Sequence, residues 1–394
     1  MSKKTFWTIL AALAVMRLAL MVTMPVFDPS EARYATLAAN MARDGDFVVP
    51  HFTYNGEYQS FDGKPPLVFQ AGGLVCRAFC VDATHPGNKY ALQFAVRVFP
   101  FLSAALLLFL VFVSVRRKTD ADTARLAVVI AATCVAFYAA AGISMTDMTL
   151  TCCVAGPLLL YWTLERSAWI ARAAIAALLG AGMIVKGPVA LVMFGLPVFV
   201  DACVNRNWKK LFDWRWFAVA PIFCLVAVPW FVLVERANPG SVWYFFYNEN
   251  FLRFVTHDYG DKYGAGREKF RGIAVLWAFV ATLPWTLLWP LRKFDWRNFL
   301  FLAFAAITLF WCLTSRVLLY YLFPMIPLFA AWLAVEGKRE WLLKAVKPAT
   351  AIALVGLTGA LVGGMLFSDK MQGERTPDFK GNRNRYSYEF YHGR

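Results

Sequence analysis

The chain has 394 residues, of which 59% are hydrophobic and 16% charged, with a formal net charge of +15. An ordinary globular protein is roughly 45–50% apolar and about 25% charged, so a soluble fold would lack the polar residues to cover its surface. Disorder, a collagen-like fibre and a disulfide scaffold are excluded on the same grounds, which leaves a polytopic membrane protein.

Crossing the hydrocarbon takes about 20 mostly apolar residues per helix. In chain order such runs fall at 5–26, 98–115, 124–142, 148–164, 168–185, 188–204, 216–235, 272–291, 298–314, 317–335 and 348–367, giving eleven predicted spans. The first follows Lys3 and Lys4 as a signal peptide would. It holds Arg17 and lacks a small-residue cleavage site, so it reads as an uncleaved anchor. A twelfth run, 66–81, contains Arg77 and several small residues. Loop charge decides its place. If it does not cross, Lys3, Lys4, Arg116, Arg117, Lys118, Arg125, Arg166, Arg172, Arg206, Lys209, Lys210, Arg215, Arg292, Lys293, Arg297, Lys338, Arg339, Lys344 and Lys347 all face the cytoplasm. If it crosses, most of them face outward. The run is therefore expected as a helix lying along the outer face. Most of the positive charge is then orientation signal, and no nucleic-acid partner is implied.

The cysteines sit almost entirely in apolar runs, where Cys acts as a small hydrophobe. They form no CxxC pair, and the four histidines are scattered. No Walker motif is present.

This topology gathers the polar, non-repetitive sequence on the outer side, in loops 27–97 and 236–271 and in short turns. Asp28-Pro-Ser-Glu31-Ala-Arg33 is either a helix start, with Asp28 as cap, or a pair of acids and a cation at the membrane surface. Lys64, in Phe61-Asp62-Gly63-Lys64-Pro-Pro, either grips a lipid phosphate as a point charge or snorkels at the interface. Asp147 occupies a turn too short to carry an acid without a partner. Lys186-Gly-Pro breaks an apolar stretch. Glu249 and Arg253 follow an aromatic run that reads as a surface helix. Each feature is weak alone. Together they place cations suited to phosphate beside carboxylates suited to general-base work.

These motifs resemble the GT-C membrane glycosyltransferases. Asp28-Pro-Ser-Glu-Ala-Arg-Tyr-Ala, Phe61-Asp-Gly-Lys-Pro-Pro, Thr146-Asp-Met, Lys186-Gly-Pro, Glu249-Asn-Phe-Leu-Arg-Phe, Leu283-Pro-Trp and Ser315-Arg-Val-Leu-Leu-Tyr-Tyr-Leu-Phe-Pro occur in the family's order, over roughly residues 5–335. The nearest branch is the bacterial one that contains the lipid A aminoarabinose transferase, distantly related to protein O-mannosyltransferases.

The resemblance implies an all-α integral membrane protein of the GT-C fold, with juxtamembrane helices in the first outer loop. It implies transfer of a sugar from an undecaprenyl-type polyprenyl phosphate, on the outer face of a bacterial inner membrane, to a lipid A, glycan or protein acceptor. Asp28 matches the first-loop catalytic acid, with Asp147 as alternate. Lys64 and Arg253 match the residues that hold the carrier phosphate, with Lys186 and Arg33 beside them. Glu31, Asp62, Glu249 and Tyr321 are further candidates.

Two departures stand out. Gly63 occupies the place of an acid before Lys64, and Asn250 that of a histidine after Glu249. Those family positions can hold a divalent metal. Here only Asp62 and Glu249 are at hand for one, so a metal is doubtful and no other cofactor is implied. Residues 1–367 are expected as one catalytic domain and 368–394 as a basic, disordered tail, with no soluble C-terminal domain. The rival readings are a lipid or lipid-linked-sugar flippase and a carrier-binding protein without turnover.

Overall fold

The computed structural model describes residues 1–27, 29–54, 56–79, 88–165, 168–256, 263, 268–288, 295–367 and 385–392. It is mostly helical, and its apolar helices make it a membrane-embedded protein. Five helices are long and apolar enough to cross a bilayer: Lys3–Thr23, Lys89–Lys118, Trp169–Lys186, Arg215–Ala237 and the continuous stretch Arg339–Gly363. The other predicted spans are present as shorter or broken helices. The run 124–142 divides at Cys134 into Ala121–Thr133 and Val135–Ala140. The run 272–291 gives Ile273–Ala281 and then a single tight turn at Trp285–Leu288 after Pro284. The run 317–335 becomes a turn at Leu319–Leu322 and, past Pro324, the helix Met325–Glu336. Proline has no amide proton to give to a helix, and Pro284 and Pro324 mark the second and third of these breaks. Thr146–Trp162 is buried on nearly every residue, as expected of a helix apolar all round at the centre of a bundle.

The first loop folds back on the bundle. Ser30–Asp44 packs against Leu67–Ala78, the helix expected along the outer face. Its twelve residues span about 18 Å. The two helices approach closely because Gly72 and Gly73 lack side chains: a Cβ on Gly73 would stand 2.8 Å from the Ala38 carbonyl oxygen. The all-α expectation needs one correction here. His51–Tyr54 and Glu57–Ser60 form an antiparallel hairpin, with Phe52 opposite Gln59. Alternation around Gly56, whose φ is +88°, favours strand pairing over helix at this turn. Phe52, Phe61 and Phe69 from hairpin, loop and helix are all buried.

A buried ion pair ties this loop to the bundle. Arg97 clamps Glu31 bidentately, at 2.7 and 3.0 Å. The same guanidinium caps the end of the first helix by donating to the carbonyls of Met21 and Met24. Glu31 also accepts from the Ser144 amide at 3.1 Å.

The disordered-tail expectation is corrected for the residues described. Arg385–His392 is helical, and Phe390 and Tyr391 are buried. Glu389 accepts from the Asn40 side chain at 3.0 Å, and the Tyr391 hydroxyl accepts from the Val26 amide at 2.8 Å. The averaged composition of the tail hid one aromatic segment, Tyr-Ser-Tyr-Glu-Phe-Tyr, that gains enough buried surface to order itself against Ser30–Asp44.

Candidate active site

Five separate segments deliver charge to one small polar cavity. The helix Ser30–Asp44 contributes Arg33. The Lys-Pro-Pro turn before Leu67–Ala78 contributes Lys64. Lys186 is the last residue of Trp169–Lys186, where Gly187 closes the helix at φ +82° and Pro188 opens the next. A side chain on Gly187 would collide with Phe245 at 2.5 Å, so glycine is required at that bend. Glu249 comes from a wide helical stretch, Tyr244–Leu252, in the second long loop, and Arg253 begins the short helix Arg253–Val255 that follows it. Asp147 lies in the first turn of Thr146–Trp162, where the helix N-terminus favours an acid. Ser30, Tyr34, Phe61, Tyr263, Tyr320 and Tyr321 complete the wall.

The charges interlock. Lys186 Nζ donates to Asp147 Oδ1 at 2.6 Å and lies 4.4 Å from the centre of the Tyr321 ring. Arg253 Nη1 and Lys64 Nζ share Glu249 Oε2, at 3.0 and 3.4 Å. Arg33 sits over the Tyr34, Phe61 and Tyr386 rings, between 5.4 and 5.8 Å from their centres, and its buried Nε has no hydrogen-bond partner. Among the described residues, four cations thus face two carboxylates in the cavity wall. Such a cluster of cations suits a phosphate. Burial, opposed by Glu249 and reinforced by Arg253 and Lys186, pulls the Lys64 ammonium down to about 8.

On one side the cavity opens into a groove. Lys64, Lys186, Glu249, Arg253 and Tyr321 border both, and Val189, Val192 and Phe310 continue the groove as apolar wall, with Arg316 at its margin. A charged pocket joined to an apolar channel suits an amphiphile with a phosphate at one end.

Not every sequence candidate points here. Asp28 lies outside the described residues. Glu31 is absent from the wall and is held by Arg97. Asp62 turns toward Asn238, whose side chain donates to it at 2.8 Å, while its own amide donates to the Tyr263 hydroxyl. Of the two candidate metal ligands, Glu249 therefore holds cations and Asp62 faces another loop. Among the described residues no three His, Cys, Asp or Glu side chains cluster to hold an ion. Gly63 has a steric cause: a Cβ there would stand 2.8 Å from Tyr263 and 2.9 Å from Phe61, so the acid expected before Lys64 has no room. Arg97 and Tyr263 were not singled out from sequence. Arg97, at the edge of an apolar run, carried a signal, since such a charge needs a partner. Tyr263 carried none.

The chain matches the family model for dolichyl-phosphate-mannose-protein mannosyltransferases over residues 78–245. A relative from Edwardsiella ictaluri, named undecaprenyl phosphate-alpha-4-amino-4-deoxy-L-arabinose arabinosyl transferase, is 28% identical over 314 residues, or 76% of this chain and 52% of its own. The chain spans about half the length of the curated relatives it matches. Its fold is that of ArnT from Cupriavidus metallidurans: the apo crystal structure aligns with TM-score 0.77 at 19% identity, over 99% of this chain and 85% of that one. The crystal structure bound to undecaprenyl phosphate gives 0.72 at 21%, over 98% and 68%. The likeness to GT-C membrane glycosyltransferases therefore holds in motif order, family model and fold.

Proposed function

We propose that the chain is a glycosyltransferase that takes a sugar from an undecaprenyl-type polyprenyl phosphate and passes it to an acceptor at the outer face of a bacterial inner membrane, lipid A, another glycan or a protein being the acceptors that the motif resemblance implies. The observation that carries this reading is the convergence of Lys64, Arg253, Lys186 and Arg33 on one polar cavity that opens into an apolar groove. The names of the relatives and the fold support it.

In this reading the chain crosses eleven times with its N-terminus in the cytoplasm, and residues 1–367 form the catalytic unit. The carrier phosphate rests between Lys64 and Arg253, with Lys186 and Arg33 adding to the field, and the first isoprene units enter the groove. An acceptor oxygen attacks the anomeric carbon. The bond from that carbon to the phosphate oxygen breaks, and the carrier leaves as a phosphate monoester. Charge on the leaving group rises from about one to about two, so the clustered cations bind the departing state better than the donor. That difference is what accelerates transfer. Asp28 takes the acceptor proton, with Asp147 as the alternate. Where the acceptor is itself a phosphate no proton moves, and Asp28 positions it.

The test is transfer from a polyprenyl-phosphate sugar by purified protein. Lys64→Ala removes one donor to the developing charge and is expected to lower the rate by about 100-fold or more, near 3 kcal/mol. Asp28→Asn is expected to abolish transfer to a hydroxyl acceptor. Full activity in both variants at normal expression would sink the assignment. Retained carrier binding with no transfer in the wild type would favour the carrier-binding reading, and lipid movement across vesicles without transfer would favour a flippase.

A further inference from the structure

Arg17 is the charge that the proposed reaction leaves unused. It lies in Lys3–Thr23, six residues or about 9 Å from the helix end that adjoins the first loop. Its side chain is only 4% exposed. Nε donates to the Ala141 carbonyl, and Nη1 is buried without a hydrogen-bond partner. The acid that might have neutralised it, Glu31, is fully engaged by Arg97. A buried cation without a counter-charge is among the most destabilising features a chain can carry, and inside a membrane such a group marks a function by default.

Arg17 stands in the wall of a cavity of about 450 Å³ between the helices Lys3–Thr23, Lys89–Lys118 and Ala121–Thr133. The rest of the wall is nearly all hydrocarbon: Phe6, Leu13, Ala105, Leu108 and Phe112 among others. The groove opens beside Trp7 and Phe109, both more than half exposed. It shares no lining residue with the polar cavity or with the groove beside it.

We propose that this groove is a second lipid site, which takes a phosphate-bearing glycerophospholipid of the surrounding bilayer, its phosphate on Arg17 and an acyl chain along the aromatic wall. The chemistry selects the occupant. A neutral amphiphile fills the apolar wall and leaves Nη1 unpaired, and a free anion pairs the guanidinium and leaves the wall empty. Only a lipid that carries a phosphate does both. The site also touches the transfer machinery: the Ala141 carbonyl held by Arg17 begins the turn that passes Gly142, at φ +79°, and leads to Asp147. The inference does not depend on the transfer reaction.

The full chain, purified in detergent, is labelled with diazirine-chain phosphatidylglycerol or with the matching diacylglycerol, which has no phosphate, and the modified peptides are mapped. Phosphatidylglycerol is expected to label the groove walls in 3–23 and 89–118 at least about tenfold more than diacylglycerol, the smaller end of what one hydrogen bond to a charged group contributes. Arg17→Leu should erase that preference and Arg17→Lys should keep part of it, while Ala105→Trp should block labelling by both lipids. Undecaprenyl phosphate binding should be unchanged in all three. Equal labelling of the wild-type groove by the two lipids overturns the proposal, and that comparison stands even if Arg17→Leu fails to fold. A preference that survives in Arg17→Leu overturns it as well, and so does displacement of the label by undecaprenyl phosphate, which would make the groove a carrier site.

Discussion

Lys64 holds the sharpest residue-level consequence. Its ammonium is buried beside Arg253 and Lys186 and titrates near pH 8, below the usual lysine range. The folded, ligand-free protein therefore binds fewer protons than the unfolded chain between about pH 8 and pH 10.4. Across that window this group adds stability as pH rises, while the grip on phosphate is lost. The predicted result is that kcat/KM for the carrier-linked sugar falls as pH rises through about 8, because that ratio reports the free enzyme. Lys64→Arg should flatten the fall, since a guanidinium stays charged. A profile that remains flat in the wild type up to pH 9.5 would remove Lys64 from the phosphate site. The sequence made Lys64, Arg253, Lys186 and Asp147 visible because each is an isolated charge beside apolar runs, where a charge without work is costly. It could not separate Glu31 from them. A carboxylate in a first-loop motif looks the same whether it faces substrate or, as here, a buried guanidinium contributed by Arg97.

The elements explain how one small cavity draws on five segments far apart in the chain. Two pins set the first loop: the Glu31–Arg97 pair and the docking of Arg385–His392. Removing one partner of a fully buried ion pair strands the other, which typically costs about 3–5 kcal/mol. Arg97→Met is thus expected to lower the thermal midpoint in detergent sharply, and Arg97→Met with Glu31→Gln to recover part of the loss, because the stranded carboxylate is gone. Additive losses would show that the pair is not coupled. Removal of residues 385–394 deletes the Glu389 contacts to Asn40 and Thr53 and the Tyr391 contact to Val26. Amide exchange in Ser30–Asp44 should then rise, and Lys89–Lys118 should stay protected. Unchanged exchange in Ser30–Asp44 would make the terminal helix a bystander. The helix positions, Leu67–Ala78 among them, were legible from apolar runs. The hairpin and the terminal helix were not, because short strands and an eight-residue helix gain their stability from tertiary packing, which no local pattern encodes.

The described residues form a helical bundle in which two grooves differ in character. One ends in a cluster of four cations and the other in a single buried arginine. The membrane class followed from where apolar runs stop and charges begin, and the fold from the likeness of the motifs to the GT-C glycosyltransferases. Which charges meet, and which groove each one serves, depends on the folding back of the first loop, and that is a matter of packing. Both assignments rest on where a phosphate sits. The most direct measurement is an electron cryomicroscopy map of the full chain in nanodiscs with undecaprenyl phosphate added. The expected map has phosphate density in contact with Lys64 and Arg253 and the isoprenoid chain running past Val189 and Phe310. Carrier phosphate seated on Arg17, with the polar cavity empty, would overturn both the proposed catalytic site and the second lipid site.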